Sequence, residues 1–575
     1  MRLSWRSGAV AVVAGLAGAS ARGLGWDRPP WPLMLLDGLL LAGGALAMGR
    51  VTSQRLSPRW ANLTASWGVL LAYAADNLLR GHPEPALLSL AAGALVCALL
   101  SLAAHRVAAL AGALALVIVA SEGRAQPRPP GPPAPNRRSV LLIVIDTLRR
   151  DHMSLYGYSR QTTPNIDAFA EEGRVYTETL SAASHTLPSH ASMFTGFYPR
   201  THGARLLRTP EGSELRGLHP SFETLAEMAH AGGVQSAGIA ANFTTGPNGI
   251  EQGFDTWATP SPSTWPRFTP SDQLLALLTP SVSWYERYPV VADAAQISRE
   301  AERWLERNGD QRFFLFLNYM DVHQPTWRTD APFLPHDPIE EDFDQLSAVE
   351  AIEGLRDPER APGLRAALIN RYDRGLHEAD AQIGELLRWM EARGLLENTT
   401  VILTSDHGEY LGEHGYAFHP IGLHRRALEV PLIVRGPGYS PGRDPRPTSG
   451  VDVFIAVLEA LDLRVPKQTA GRSLRGPGRP PVAELETQFQ PSLLEPPYGA
   501  TLDRRVTAIR LGSLHFLRYG DGQFEGWDLS EDPEESRDIC PAQPERCAEA
   551  SAQLDAFVRD NEGRGEDIER PRSPQ

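Results

Sequence analysis

Cysteine and net positive charge are what this sequence has least of. Three cysteines occur among 575 residues, and no C-x-x-C pair is present, so a cysteine-built zinc framework is excluded. Cys97 lies inside an apolar run and reads as a buried thiol. Cys540 and Cys547 flank the short loop CPAQPERC, where a disulfide requires both an oxidising compartment and a geometry that spacing does not reveal. The formal charge is -14, and the basic residues form no helix-long stripe, which argues against a nucleic-acid partner. What remains is a globular composition, 42% hydrophobic and 22% charged, on a chain too long for one ordinary domain.

The hydrophobic residues are unevenly placed. Five nearly charge-free apolar segments, at about 7–21, 31–49, 60–79, 85–104 and 106–121, fit membrane helices and predict an all-α transmembrane bundle over 1–121. Two alternatives stand beside this reading: the first segment as a signal peptide after Arg2 and Arg6, and the whole region as buried soluble helices. Arg2, Arg6, Arg50, Arg55 and Arg59 place the N-terminus and the second connection in the cytoplasm, although Arg22, Arg28 and Arg80 fall on the opposite side. With five spans, everything after about 122 is expected outside the cytoplasm, on a multi-pass cell-membrane protein. QPRPPGPPAPNRR closes the stretch 122–138 as a stiff proline-rich linker.

At Ser139 the pattern changes. SVLLIVI, FFLFL at 313–317, TVILTS at 400–405 and PLIV at 431–434 read as short buried strands. Helical stretches separate them. TPNIDAFAEEG has Thr163 as N-cap, Pro164 at the first helical position and Gly173 as stop. A second runs from about 365 to Arg393, with Ile369, Tyr372, Leu376, Ile383, Leu387 and Met390 on one face. Strands alternating with helices predict an α/β fold with a mainly parallel sheet, whose ligands bind beyond the carboxyl ends of its strands. Asp146, Asp321 with His323, and Asp406 with His407 follow three of those strands, and a shared site at that edge explains the coincidence.

The block DTLRRDHMSLYGYSRQTTPNIDAFAEEG, then ASHTLPSHASMFTGFYPRTHG, then TSDHGEYLGEHG and EVPLIVRGPG, resembles the sulfatase-like branch of the alkaline phosphatase superfamily. FEGWDLSEDPEESRD, near residue 524, is similar to that family's C-terminal end. The resemblance implies a sulfatase-like catalytic domain over 139–545 with a small C-terminal subdomain, and a tail over 546–575. Asp146, Asp406 and His407 offer two oxygens and a nitrogen, a donor set for one divalent ion, zinc, manganese or calcium. The resemblance adds Thr186 as the residue that completes the metal set and attacks the ester.

The main sulfatases carry Cys or Ser followed by x-Pro-x-Arg and oxidise the first residue to formylglycine. Here the stretch is Thr186-Leu187-Pro188-Ser189-His190, with threonine as nucleophile and His190 in the arginine's place. Threonine does not yield that aldehyde, so the resemblance implies direct attack and a covalent threonine ester. Pro188 suits a first helical turn, and the run to Gly196 puts Thr186 just before a helix N-terminus that favours an anion. Asp321-Val322-His323-Gln324-Pro325 and His419 match positions that contact the substrate's anionic group. The alternative for Asp321, His323 and His419 is a second metal. Thr147 replaces a second strand-end aspartate of the family, Arg149 faces either the anion or its own turn, and Glu409 is a candidate partner behind the ligands. Trp265 and Trp284 in about 258–290, and Trp327 in about 325–362, mark insertions for specificity or for surface packing.

Three functions follow: a membrane-anchored, metal-dependent hydrolase of sulfate or phosphate esters; a transferase moving a phospho-head group (phosphoethanolamine or phosphoglycerol) to envelope lipid or glycan; and a noncatalytic binder on the same scaffold. The substrate in each case is an anionic ester, lipid or glycan, and not a nucleic acid.

Overall fold

The computed structural model describes residues 138–209, 212–242, 244–260, 292–323, 334, 348–357, 359, 363–485 and 504–561. The five apolar segments, Cys97, the linker up to 137, and the insertions carrying Trp265, Trp284 and Trp327 lie outside these residues. Among the described residues no helix is long and apolar enough to cross a membrane.

Strand β1, Ser139–Ile145, is buried along its whole length. Its side chains alternate between two cores: Leu141, Ile143 and Ile145 enter one, and Val140, Leu142 and Val144 the other. A strand covered on both faces has no reason for a polar phase, which is why its sequence is an unbroken apolar run. The rest of the central sheet comprises β2 (Arg174–Leu180), β3 (Gln235–Ala240), β4 (Thr256–Ala258), β5 (Phe313–Tyr319), β6 (Thr399–Thr404), β7 (Leu432–Arg435) and β8 (Gly442–Ser449). Their spatial order is β8-β2-β7-β6-β1-β5-β3-β4. All neighbours are parallel except β7, which runs antiparallel to both β6 and β2. Val144 pairs with Asn318 of β5 on one side and with Thr404 of β6 on the other. This register brings the residues that follow β1, β5 and β6 to one edge.

Helix α1, Pro164–Glu171, starts at the expected proline. Thr163 does not cap the backbone; its hydroxyl donates to Asp167 Oδ1 at 2.7 Å. Helix α2 is Thr186–Thr195, α3 is Ala294–Asn308 and α4 is Leu364–Glu391. Tyr372, Leu376, Ile383, Leu387 and Met390 of α4 fill the first core, with Ile369 packed at its margin. Leu187, Ala191 and Phe194 of α2 meet Phe454, Val457 and Leu458 of α5, Asp452–Ala460, in the second. Helix α2 stops at Gly196, whose φ of 72° is left-handed.

A second, antiparallel sheet follows: β9 (Val482–Leu485), β10 (Val506–Leu511), β11 (Leu514–Tyr519) and β12 (Phe524–Asp528), paired in chain order. This is the expected small C-terminal subdomain. Helix α6, Pro544–Asn561, runs past the boundary expected at 545 and buries Ala550 and Leu554 in one cluster with Ile509 and Phe516. Cys540 and Cys547 form a disulfide, with their Cα atoms 5.7 Å apart.

Candidate active site

Two buried carboxylates and an imidazole meet at the edge set by β1 and β6. Asp146 follows β1 directly. Its Oδ2 accepts from Asn242 Nδ2 at 2.9 Å and from Asn318 Nδ2 at 3.4 Å. Asp406 stands two residues beyond β6, and its Oδ1 accepts the backbone N–H groups of Thr147 at 3.1 Å and His407 at 2.9 Å. Each carboxylate keeps one buried oxygen, Asp146 Oδ1 and Asp406 Oδ2, without a hydrogen-bond partner among the described residues. His407 donates from Nδ1 to the Gly408 carbonyl at 2.8 Å, which leaves the lone pair on Nε2. Donor atoms of Asp146, Asp406 and His407 all lie within 4.8 Å of one another.

This set fits a divalent cation. A buried oxygen with no partner is costly, and two adjacent carboxylates repel. Burial, then the charge of Asp146, pushes the Asp406 carboxyl well up. Burial pulls the His407 imidazole down to about 4, keeping it neutral and able to ligate. The turn that aims these groups is strained: Thr147, a β-branched residue, has φ 58°. Tyr372 of α4 braces it, donating from its hydroxyl to the Thr147 carbonyl and accepting the Arg149 N–H, both at 2.7 Å.

Thr186 is the first residue of α2, with His185 as N-cap, one position from the expectation. Its Oγ1 lies 3.4 Å from His407 Nε2 and 3.5 Å from Asn242 Nδ2. The expected nucleophile and the expected ligands are therefore together. His323 and His419 join them: the His419 ring is centred 4.4 Å from His407 and 4.9 Å from His323. His419 Nδ1 is 3.0 Å from Oε1 of the buried Glu409. His190 is fully buried beside the metal-ligand candidates, with Nδ1 2.9 Å from the Thr186 carbonyl and 3.6 Å from Asp406 Oδ2. Asp321 serves helix α3, where its Oδ1 accepts the Ala294 N–H at 2.9 Å.

Arg149 requires a correction. Its guanidinium does not face an anion site: Nε and Nη2 bind Asp151 at 3.0 and 2.8 Å, Nη2 also binds Glu413 at 3.0 Å, and Nη1 donates to the Glu409 carbonyl at 3.0 Å. The arginine ties the turn after β1 to the loop after β6, with four of its five N–H donors engaged there.

Asn242 and Asn318 escaped the sequence reading. Asn318 hides inside the apolar run of β5. Asn242 follows QSAGIA, a strand of small residues with little hydrophobic signal. Its position two residues after a strand is the one cue available.

A profile of the sulfatase family matches residues 138–463, more than half of the chain. The chain belongs to the sulfatase family. This sulfatase is 23% identical over 470 residues to arylsulfatase K of Bos taurus, covering 74% of this chain and 82% of that one. It is 24% identical over 424 residues to an ulvan-active sulfatase of Formosa agariphila, covering 70% and 77%. Among solved structures, a 2-O GAG sulfatase aligns with TM-score 0.59 at 17% identity, covering 74% of this sulfatase and 93% of that chain. A phosphonate monoester hydrolase from Silicibacter pomeroyi aligns with TM-score 0.57 at 20% identity, covering 74% and 96%. Family membership makes the chain an ester hydrolase of a metal-dependent family.

Proposed function

We propose that this sulfatase hydrolyses sulfate or phosphate esters with Thr186 as nucleophile and Asp146, Asp406, His407 and Thr186 as the ligands of one divalent ion. The observation that carries the reading is the position of Thr186 Oγ1, 3.4 Å from His407 Nε2 at the mouth of the carboxylate pair. A cation held there by these residues would lower the pKa of the Thr186 hydroxyl and withdraw charge from the ester. Thr186 attacks the sulfur or phosphorus as the bond to the leaving oxygen breaks. The N-terminus of α2 favours the anion. His323 and His419 face the ester oxygens, with His419 oriented by Glu409. His190 steadies the Thr186 carbonyl. Water then releases the threonine ester. Fold likeness reaches both sulfatases and a phosphonate esterase, so it leaves the central atom open.

Beyond the catalytic domain, taken as 139–545, the apolar segments of 1–121 support a membrane anchor with the site outside the cytoplasm. An oxidising compartment also suits the Cys540–Cys547 disulfide.

The test is a panel of chromogenic sulfate monoester, phosphate monoester and phosphate diester substrates, with intact-mass analysis. Thr186→Ala is expected to abolish turnover and adduct while melting like the wild type. Full activity in that variant sinks the nucleophile assignment. An adduct stable in water but discharged by an alcohol selects transfer over hydrolysis.

A further inference from the structure

After Asp146 the chain leaves the sheet and runs along α4, which grips it at three buried residues, Tyr372, Asp373 and Asp380. Asp380 holds the start of α1: its Oδ1 accepts the Ile166 N–H at 2.8 Å and its Oδ2 the Asn165 N–H at 3.0 Å. Asp373 holds the middle of the segment. Its Oδ1 is 2.7 Å from His152 Nδ1, and its Oδ2 accepts from the Tyr158 hydroxyl at 2.7 Å and from Arg160 Nη1 at 2.6 Å. Tyr372 holds the turn itself, through the 2.7 Å bonds of its hydroxyl to the Thr147 carbonyl and the Arg149 N–H. Its ring is fully buried, with His152 edge-on at 4.9 Å, so the hydroxyl is fixed in place.

That turn bears on all three side-chain ligands. Asp146 precedes it directly. The Thr147 N–H donates to Asp406 Oδ1 at 3.1 Å. The Leu148 N–H donates to Ser405 Oγ at 2.8 Å, and Ser405 Oγ donates in turn to the His407 carbonyl at 2.7 Å. These bonds require Thr147 to keep its φ of 58°, which a β-branched residue adopts only when its surroundings enforce it. The Thr147 carbonyl and the Arg149 N–H flank the strained residue, and a hydroxyl can serve both because it donates once and accepts as well. A phenylalanine ring of the same shape can serve neither, so the conformation of the turn depends on one oxygen atom supplied from α4.

We propose that Tyr372 is a positioning residue of the metal site: its hydroxyl holds Thr147 in the left-handed conformation that brings Asp146 and Asp406 together, and thereby sets the affinity for the divalent ion. The inference rests on the metal-site reading above.

The test titrates Mn²⁺ and Ca²⁺ in turn into the chelator-stripped full-length protein by calorimetry, with thermal melts of the metal-free forms alongside. Tyr372→Phe is expected to bind the ion that the wild type prefers about tenfold more weakly. The control is Ile383→Ala, which removes a side chain of α4 from the first core and touches no part of the turn. It should lower the melting temperature and leave the metal affinity within about twofold of wild type. A third protein, Tyr372→Phe with Thr147→Gly, separates the turn from the rest of the helix. Glycine takes a positive φ without strain, so this variant should recover most of the lost affinity. Wild-type affinity in Tyr372→Phe overturns the proposal, and so does an equal weakening in Ile383→Ala, because the ion would then follow stability alone. A double variant as weak as Tyr372→Phe overturns it too, by placing the effect elsewhere than at Thr147. A wild type that binds neither ion overturns the metal-site reading and this inference with it, whereas tight wild-type binding that is lost in Asp406→Ala keeps that reading whatever Tyr372→Phe does.

Discussion

Glu429 is the residue whose loss this structure prices most clearly. It is 3% exposed and sits just before β7. Three guanidinium groups converge on it: Arg150 Nη2 at 2.9 Å, Arg425 Nη2 at 2.8 Å and Arg510 Nη2 at 2.5 Å. Burial alone would raise its carboxyl, but the three arginines override that and pull it from 4.5 down to about 2. A depression of that size corresponds to about 3 kcal/mol of stability at neutral pH. Because the folded value is the lower one, the stabilisation is complete above the unfolded value near 4.5 and disappears as pH falls through about 2. Glu429→Gln, measured by urea unfolding, should therefore cost about 3 kcal/mol at pH 7 and only about 1 kcal/mol at pH 3. The consequence is not confined to stability. Arg150 lies four residues after Asp146, and Arg510 belongs to β10, so the carboxylate clamps the catalytic strand end to the C-terminal subdomain. A difference below 1 kcal/mol at pH 7, or one independent of pH, would refute the reasoning.

Asp321 carries the opposite sign. Burial first, then the charges of Asp293 and Glu378, raise its carboxyl to about 8, so the folded state holds a proton that the unfolded state releases. Stability should fall as pH rises from about 4 to 8, and Asp321→Asn, which keeps the acceptor for Ala294, should gain on the wild type by about 1.4 kcal/mol per pH unit in that window; thermal melts at pH 5 to 8 check it, and parallel melting curves count against it. Asp406→Ala should carry no stoichiometric divalent metal after dialysis, by elemental analysis, while the wild type does; equal metal content would move the ion elsewhere. Gly196→Ala should destabilise by about 1–3 kcal/mol, because φ is 72° and the new Cβ would stand 2.3 Å from Thr469 Oγ1 and 2.6 Å from Phe454 Cδ1; a neutral effect in chemical denaturation would show that α5 yields there.

What the sequence made legible follows from local physics. β1, β5 and β6 are buried on both faces, so they stand out as apolar runs, and the polar residues just beyond them mark the sheet edge where a site forms. Asp146, Asp406 and His407 stand out for that reason, whereas Thr186 is singled out by the family resemblance, with a proline and a terminal glycine only delimiting its helix. Arg149 is a different case. An arginine three residues beyond a candidate ligand carries no local mark of whether its partner is a substrate or a carboxylate; Asp151 is close in sequence, but Glu413 is 264 residues away and comes near only through the sheet order. Asn242 is similar, since its function depends on β3 lying beside β5, and small residues in β3 hide the strand. His190 shows the limit of carrying a motif over by position. It occupies the place of an arginine, yet the shorter imidazole reaches the Thr186 carbonyl and stays beside Asp406, fully buried. Replacing a long cation by a buried, neutral ring removes a fixed positive charge from the site, because burial pulls the His190 imidazole down.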